Sequence, residues 1–197
     1  METLTLYAVR YLRKDVGVAI IVLIALALGA LLRAQTENRL TVFQAQDAPI
    51  RLAYPATWGS VEALQNVVLK AQDPQTASAF KTTLTIEARD LDPQNPPTLQ
   101  QFLDRRVAQR SELTGYHFLA SQPETVGGAK AMRWEYAYTV QPIDQPRRAS
   151  LPVVVHAIES IVVGKETVFF ITLVAPENDF DSARARFAQI LQTVTIQ

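Results

Sequence analysis

Residues 129–140 read AKAMRWEYAYTV and alternate cleanly. Met132, Trp134, Tyr136, Tyr138 and Val140 fall on one face of an extended chain, and Arg133, Glu135, Ala137 and Thr139 on the other. A period of two is the mark of a strand with unlike faces. Similar runs predict strands at 40–46 (LTVFQAQ), 50–54 (IRLAY), 67–72 (VVLKAQ) and 81–89 (KTTLTIEAR) before the middle of the chain. Others follow at 116–122 (YHFLASQ), 153–163 (VVVHAIESIVV) and 167–175 (TVFFITLVA). The 167–175 run is apolar on both faces, which predicts a central strand covered from both sides. Turn residues separate the runs: Asp47-Ala48-Pro49, Asp73-Pro74, Val126-Gly127-Gly128 and Gly164-Lys165.

Two stretches change period. In LQQFLDRRVAQRSEL (99–113), Leu99, Phe102, Leu103, Val107 and Leu113 recur at helical spacing. Thr98 and Gln101 have the spacing of a capping box, and Gly115 suits the exit. In 176–197, Asn178 or Asp179 is the expected N-cap, Phe180, Ala183, Phe187, Ile190 and Leu191 form the buried stripe, and TVTI is a short last strand. The expected order is four strands, a helix, four strands, a helix and a strand. Hairpin-length connections make the sheet largely antiparallel, so the fold class is α+β, a sheet sandwiched by helices.

Residues 16–32, VGVAIIVLIALALGALL, show neither period. Seventeen residues pass without a charge, a proline or an amide. As a helix they span about 25 Å, against a hydrocarbon core of about 30 Å. Tyr7, Tyr11 and Leu12 extend the run, and Arg13 and Lys14 have stems that reach the headgroups. The expectation is one N-terminal transmembrane helix. A cleaved signal peptide is the alternative, but its apolar region is shorter, roughly 7–15 residues. The exit GALLRAQTEN offers only Leu32 and Ala34 as a small-x-small site. A buried core helix is the blander reading. Arg10, Arg13 and Lys14 precede the run while Arg33 and Arg39 follow it, which favours a cytoplasmic N-terminus and an extracytoplasmic C-terminal part, periplasmic or equivalent. Ala25 and Gly29 have the spacing of a small-residue helix contact. The expected division is 1–34 for the N-terminal segment and span, 35–39 for a linker and 40–197 for the exported domain.

From residue 34 onward the chain carries 15 Lys and Arg against 17 Asp and Glu, with no basic stripe. Nucleic acid is therefore not an expected partner. Arg105-Arg106 and Arg147-Arg148 read as solvated pairs. Cysteine is absent, so disulfides, thiolate catalysis and a lipid-modified cysteine are excluded.

Candidate chemistry is sparse. His117 and His156 are the two histidines. His156 with Glu159 and Ser160 evokes a hydrolase triad, but on one strand His156 and Ser160 stand about 13 Å apart, and no Gly-x-Ser-x-Gly elbow accompanies them. The pairs Asp90/Asp92 and Asp179/Asp181 lack the glycine and further acids of a calcium loop. Asp179 and Asp181 suit a helix N-terminus instead. Trp134, Tyr136 and Tyr138 read as a core face beneath a helix, with a pocket lining as the alternative. The loops 90–98 and 141–152 carry Pro93, Pro96, Pro97, Pro142, Pro146, Arg147 and Arg148 as candidate partner-docking residues. No catalytic, metal-binding or cofactor-binding residue is expected.

Three stretches together resemble the PsbP-like superfamily of α/β/α sandwiches: YPATW (54–58), the loop and helix opening TLQQFLDRR, and the terminal NDFDSARARFAQILQTVTI. The resemblance covers roughly residues 40–197. It implies a non-catalytic accessory domain, with no catalytic residues to carry over. The chain departs from soluble members in having its own span. The expected function is a single-pass accessory subunit that stabilises or assembles a larger membrane complex, first a photosynthetic or respiratory electron-transfer complex. Integral membrane subunits and the lipid bilayer would be its partners. A membrane-anchored module for a small molecule or lipid is the alternative, and a hydrolase the second.

Overall fold

In the computed structural model the described residues are 16–32, 39–46, 48–62, 66–92, 94, 96–142 and 151–196. Tyr7, Arg10, Tyr11, Leu12, Arg13, Lys14 and Arg33 lie outside them, as do Pro93, Pro146, Arg147 and Arg148. The chain forms two compact units, Met1–Arg39 and Leu40–Gln197.

In the first unit residues 16–32 form a helix, α1, and every residue of it is exposed. No helix among the described residues is long and apolar enough to cross a membrane. The described part of α1 counts seventeen residues.

The second unit runs β1 (Leu40–Gln44), β2 (Ile50–Pro55), β3 (Gly59–Ser60), β4 (Val67–Gln72), β5 (Thr83–Asp90) and α2 (Leu99–Arg110). It continues with β6 (His117–Val126), β7 (Ala129–Val140), β8 (Val153–Val163), β9 (Thr167–Pro176), a 3₁₀ turn (Glu177–Asp179), α3 (Phe180–Gln192) and β10 (Thr195–Ile196). Seven strands make one sheet in the order β3-β4-β5-β9-β8-β7-β6, and β1-β2-β10 make a second. All the pairings are antiparallel. The α+β class with a largely antiparallel sheet is thus observed.

Alternation sends each strand's side chains to two cores. On one face Leu84, Ile86, Ile158, Phe169, Ile171 and Leu173 pack with α3 and with Ile50, Leu52 and Tyr54 of the small sheet. Phe180, Ala183, Phe187, Ile190 and Leu191 are the buried stripe of α3. Trp58 is 4 % exposed in this core. On the other face Trp134, Tyr136, Ala157, Ile161, Val168 and Phe170 meet Phe102 and Leu103 of α2. Each fully buried aromatic or branched side chain contributes roughly 1.5–3 kcal/mol. β9 supplies both cores from the middle of the sheet, as its two apolar faces predict.

Several boundaries differ from the sequence reading. β3 is additional, because two residues pairing with Gln72 and Ala71 leave no periodic pattern. β6 continues to Val126 through Pro123, a residue tolerated where an edge strand needs no N–H. A register shift between Phe118 and Ala120 marks an irregularity at Leu119. α2 ends at Arg110 with Ser111 as its C-cap, and Gly115 (φ +65°) serves the following turn instead. At α3 the N-cap is Asp179, but its side chain makes no capping hydrogen bond; the 3₁₀ turn that precedes the helix occupies that end. Gly127 is constrained twice, by φ +57° and by the Val194 carbonyl 3.0 Å from where a Cβ would stand.

Candidate functional site

The stripe that carries Phe102 and Leu103 inward also carries Arg106 and Arg110, at spacings of three and four residues on α2. The helix is fixed at its start by a full capping box: Thr98 Oγ1 accepts from the Gln101 amide (3.2 Å), and Gln101 Oε1 accepts from the Thr98 amide (2.9 Å).

Arg106 is 3 % exposed and Glu159, on β8, is fully buried. The guanidinium grips Glu159 in a two-pronged pair, Nε to Oε1 at 2.8 Å and Nη2 to Oε2 at 2.7 Å. Its remaining hydrogens reach Glu87 on β5 (3.1 and 3.2 Å) and Gln109 Oε1 (3.3 Å). Phe170 lies beneath the guanidinium, 4.4 Å from ring centroid to Cζ. Glu159 also accepts from Trp134 Nε1 (3.2 Å) and Thr172 Oγ1 (2.8 Å). Burial alone would raise the Glu159 carboxyl, but the hydrogen bonds and charge of Arg106 outweigh it and hold it below the ordinary carboxylate value. Burial likewise opposes the Arg106 charge, and its two carboxylates more than reverse this, leaving it above its usual value. All five N–H groups of Arg106 and both carboxylate oxygens of Glu159 are engaged.

His156 is separate. It faces the other side of β8, where it pairs with Glu177 and its ring lies 4.8 Å from Phe180. Ser160 donates to Glu124 at 2.5 Å. His156, Glu159 and Ser160 therefore have three different partners, and no triad assembles. His117 is exposed on the edge strand β6. Asp92 Oδ1 accepts from the Gln94 amide, and among the described residues no three metal-ligating side chains stand together.

The sequence reading of Arg105-Arg106 as a solvated pair holds for Arg105 alone. Arg106 lies on the buried stripe, because it is three and four residues from Leu103 and Phe102. Trp134 and Tyr136 are buried beneath α2, with Tyr138 stacked beside Tyr136 at 5.8 Å, as a core face requires. Of the loop residues, Pro96 is exposed, Pro97 half-buried and Pro142 buried. Ala25 and Gly29 share one exposed face of α1.

Two clefts border the network. One, about 380 Å³, lies at the N-terminal half of α2 and is lined by Pro97, Phe102, Arg105, Arg106 and Phe170 among others. The second, about 270 Å³, opens at Arg110 and is lined by Lys70, Thr85, Tyr136, Tyr138 and Thr172. Neither was visible in the sequence, although Tyr136 and Tyr138 were named there as an alternative pocket lining.

The seven-stranded sheet, with α2 on one face and α3 with the small sheet on the other, matches a set of solved structures. PsbP of the cyanobacterium Synechocystis sp. PCC 6803 (CyanoP) superposes with a TM-score of 0.58 at 13% identity, covering 80% of this chain and 92% of that one. The domain has the PsbP-like fold. LpqN of Mycobacterium tuberculosis, a protein involved in cell envelope biogenesis, shares it with a TM-score of 0.55 at 16% identity, covering 81% and 91%. PA94 of Pseudomonas aeruginosa, of unknown function, gives 0.52 at 15% identity, covering 81% and 99%. No family model matches the sequence. No curated protein matches it either.

Proposed function

We propose that this chain is a non-catalytic, single-pass membrane accessory subunit. Its N-terminus lies in the cytoplasm and its PsbP-like domain outside the membrane, where the domain stabilises or assembles a larger membrane complex. The observation that carries this reading is α1: seventeen consecutive residues without a charge, all of them exposed. Such a surface needs an apolar environment, and a bilayer or the spans of partner subunits provide one. Ala25 and Gly29 would let a neighbouring helix approach closely.

The domain supports the accessory role by what it resembles. Its buried acid Glu159 is held by Arg106, and His156 pairs with Glu177. CyanoP is itself a PsbP and LpqN is involved in cell envelope biogenesis. On that analogy, photosynthetic and respiratory electron-transfer complexes are the first hosts to examine. The proline-bearing loops, with Pro93, Pro96 and Pro97 in one and Pro142, Pro146, Arg147 and Arg148 in the other, are the proposed docking segments.

The test is mild-detergent extraction of native membranes carrying a C-terminally tagged chain, followed by native electrophoresis and mass identification. Stoichiometric co-migration with a multi-subunit complex is expected. Migration as an isolated chain in its detergent micelle would overturn the reading.

A further inference from the structure

α2 stops at Arg110, and the sheet continues past its end. On the face left there, Lys70 of β4, Thr85 of β5, Tyr136 and Tyr138 of β7 and Thr172 of β9 line a cleft of about 270 Å³ with Arg110. The donors in this cleft outnumber its free acceptors. Tyr136 lines this cleft with only 1 % of its surface exposed, and its hydroxyl has no hydrogen-bond partner among the described residues. Among the described residues the Tyr138 hydroxyl and the Lys70 ammonium likewise have no hydrogen-bond or ion-pair partner, and Arg110 Nε is buried and unpaired. Arg110 Nη2 stands 3.8 Å from Glu87 and 4.0 Å from Glu159, beyond hydrogen-bond distance.

The acceptors on the same wall are mostly spent. Glu87 is held by Arg106, and Thr172 Oγ1 donates to Glu159. Glu62 stands exposed at the rim and opposes a second negative charge. An occupant must therefore bring acceptors and no more than about one net negative charge. Val67, Val174 and the two phenol rings supply apolar wall. The space is several times that needed by one water and admits a small organic body. Burial raises both phenols above their ordinary value, most strongly Tyr136, so they stay protonated donors at neutral pH.

We propose that this cleft binds a small organic monocarboxylate: the carboxylate takes hydrogen bonds from Tyr136, Tyr138 and Arg110, Lys70 supplies a neighbouring positive charge, and a ring or short aliphatic body rests against Val67 and Val174. The cleft lies wholly within the domain, so it requires neither an anchor nor a partner subunit.

Sodium benzoate is the probe, titrated into the full chain in detergent and followed by calorimetry and by the tyrosine ring resonances. Saturable binding is expected, with shifts confined to Tyr136 and Tyr138. Tyr136→Phe should weaken it by about tenfold, the loss of one hydrogen bond to a charged group, and Lys70→Gln should weaken it through the lost neighbouring positive charge. Tyr136→Phe removes a hydroxyl that has no partner among the described residues, so its urea midpoint should not fall, which separates lost binding from lost folding. Absence of saturation through the millimolar range would overturn the proposal. So would unchanged affinity in both variants, or binding of inorganic phosphate while benzoate stays silent.

Discussion

Arg106 uses all five of its N–H donors, and two of them close on the carboxylate of Glu159, 53 residues away in the chain. The pair ties α2 to the middle of the sheet, so its loss has two parts: a lost contact, and a charge left behind in the core.

Removing one partner is therefore expected to cost more than removing both. Arg106→Met should destabilise the domain by about 3–5 kcal/mol, because Glu159 keeps only Trp134 and Thr172 as donors. Arg106→Met combined with Glu159→Leu should recover much of that loss. Urea unfolding of the wild type, both single variants and the double variant measures the coupling. Single-variant costs that simply add would show the pair to be uncoupled.

The same carboxylate gives the domain an acid sensitivity. Its folded value lies below the ordinary one, so the unfolded chain takes up this proton first as pH falls. The contribution is complete above the ordinary glutamate value of about 4.3. It declines as pH drops from there towards the lowered folded value. Glu159→Gln should be less stable than wild type at neutral pH, and the gap should narrow with acidification. Urea midpoints between neutral and acidic pH check this; a constant gap would contradict it.

Gly127 should tolerate no side chain. A Cβ there meets both a left-handed backbone and the Val194 carbonyl at 3.0 Å. Gly127→Ala is expected to cost about 1–3 kcal/mol. Gly128→Ala shares the positive φ but meets open space, so it should cost less. Thermal unfolding of the two variants ranks them.

For α1 the decisive change is a charge at its middle. Ile24→Arg should weaken membrane retention by about 2.5–3.5 kcal/mol if the helix lies in a bilayer. Alkaline carbonate extraction of membranes would move the variant towards the soluble fraction, and equal retention of both chains would argue against insertion.

The sheet and both packed helices of the domain were legible because burial there follows period. β7 shows one aromatic face, and α3 shows one apolar stripe. The charge network was harder to read, since two adjacent arginines look alike in sequence. Its trace was nevertheless present. Arg106 continues the Phe102–Leu103 stripe, and Glu159 is a lone acid within VVVHAIESIVV, between Ala157 and Ile161 on an otherwise apolar face. Opposite charges placed singly on two buried faces are a signal to pair them. The clefts left no comparable trace, because they arise where α2 runs out over the sheet, and the geometry of the layers sets that point rather than any residue pattern.

Pro123 and the irregularity at Leu119 lie on β6, the ten-residue outer edge of the large sheet. A long free edge invites another chain to add a strand, and through it a fibre to grow. Here one rung lacks its donor and another is displaced, so an incoming backbone cannot keep a continuous ladder. The consequence is colloidal: copies concentrated against one surface can collide edge to edge without propagating a common sheet.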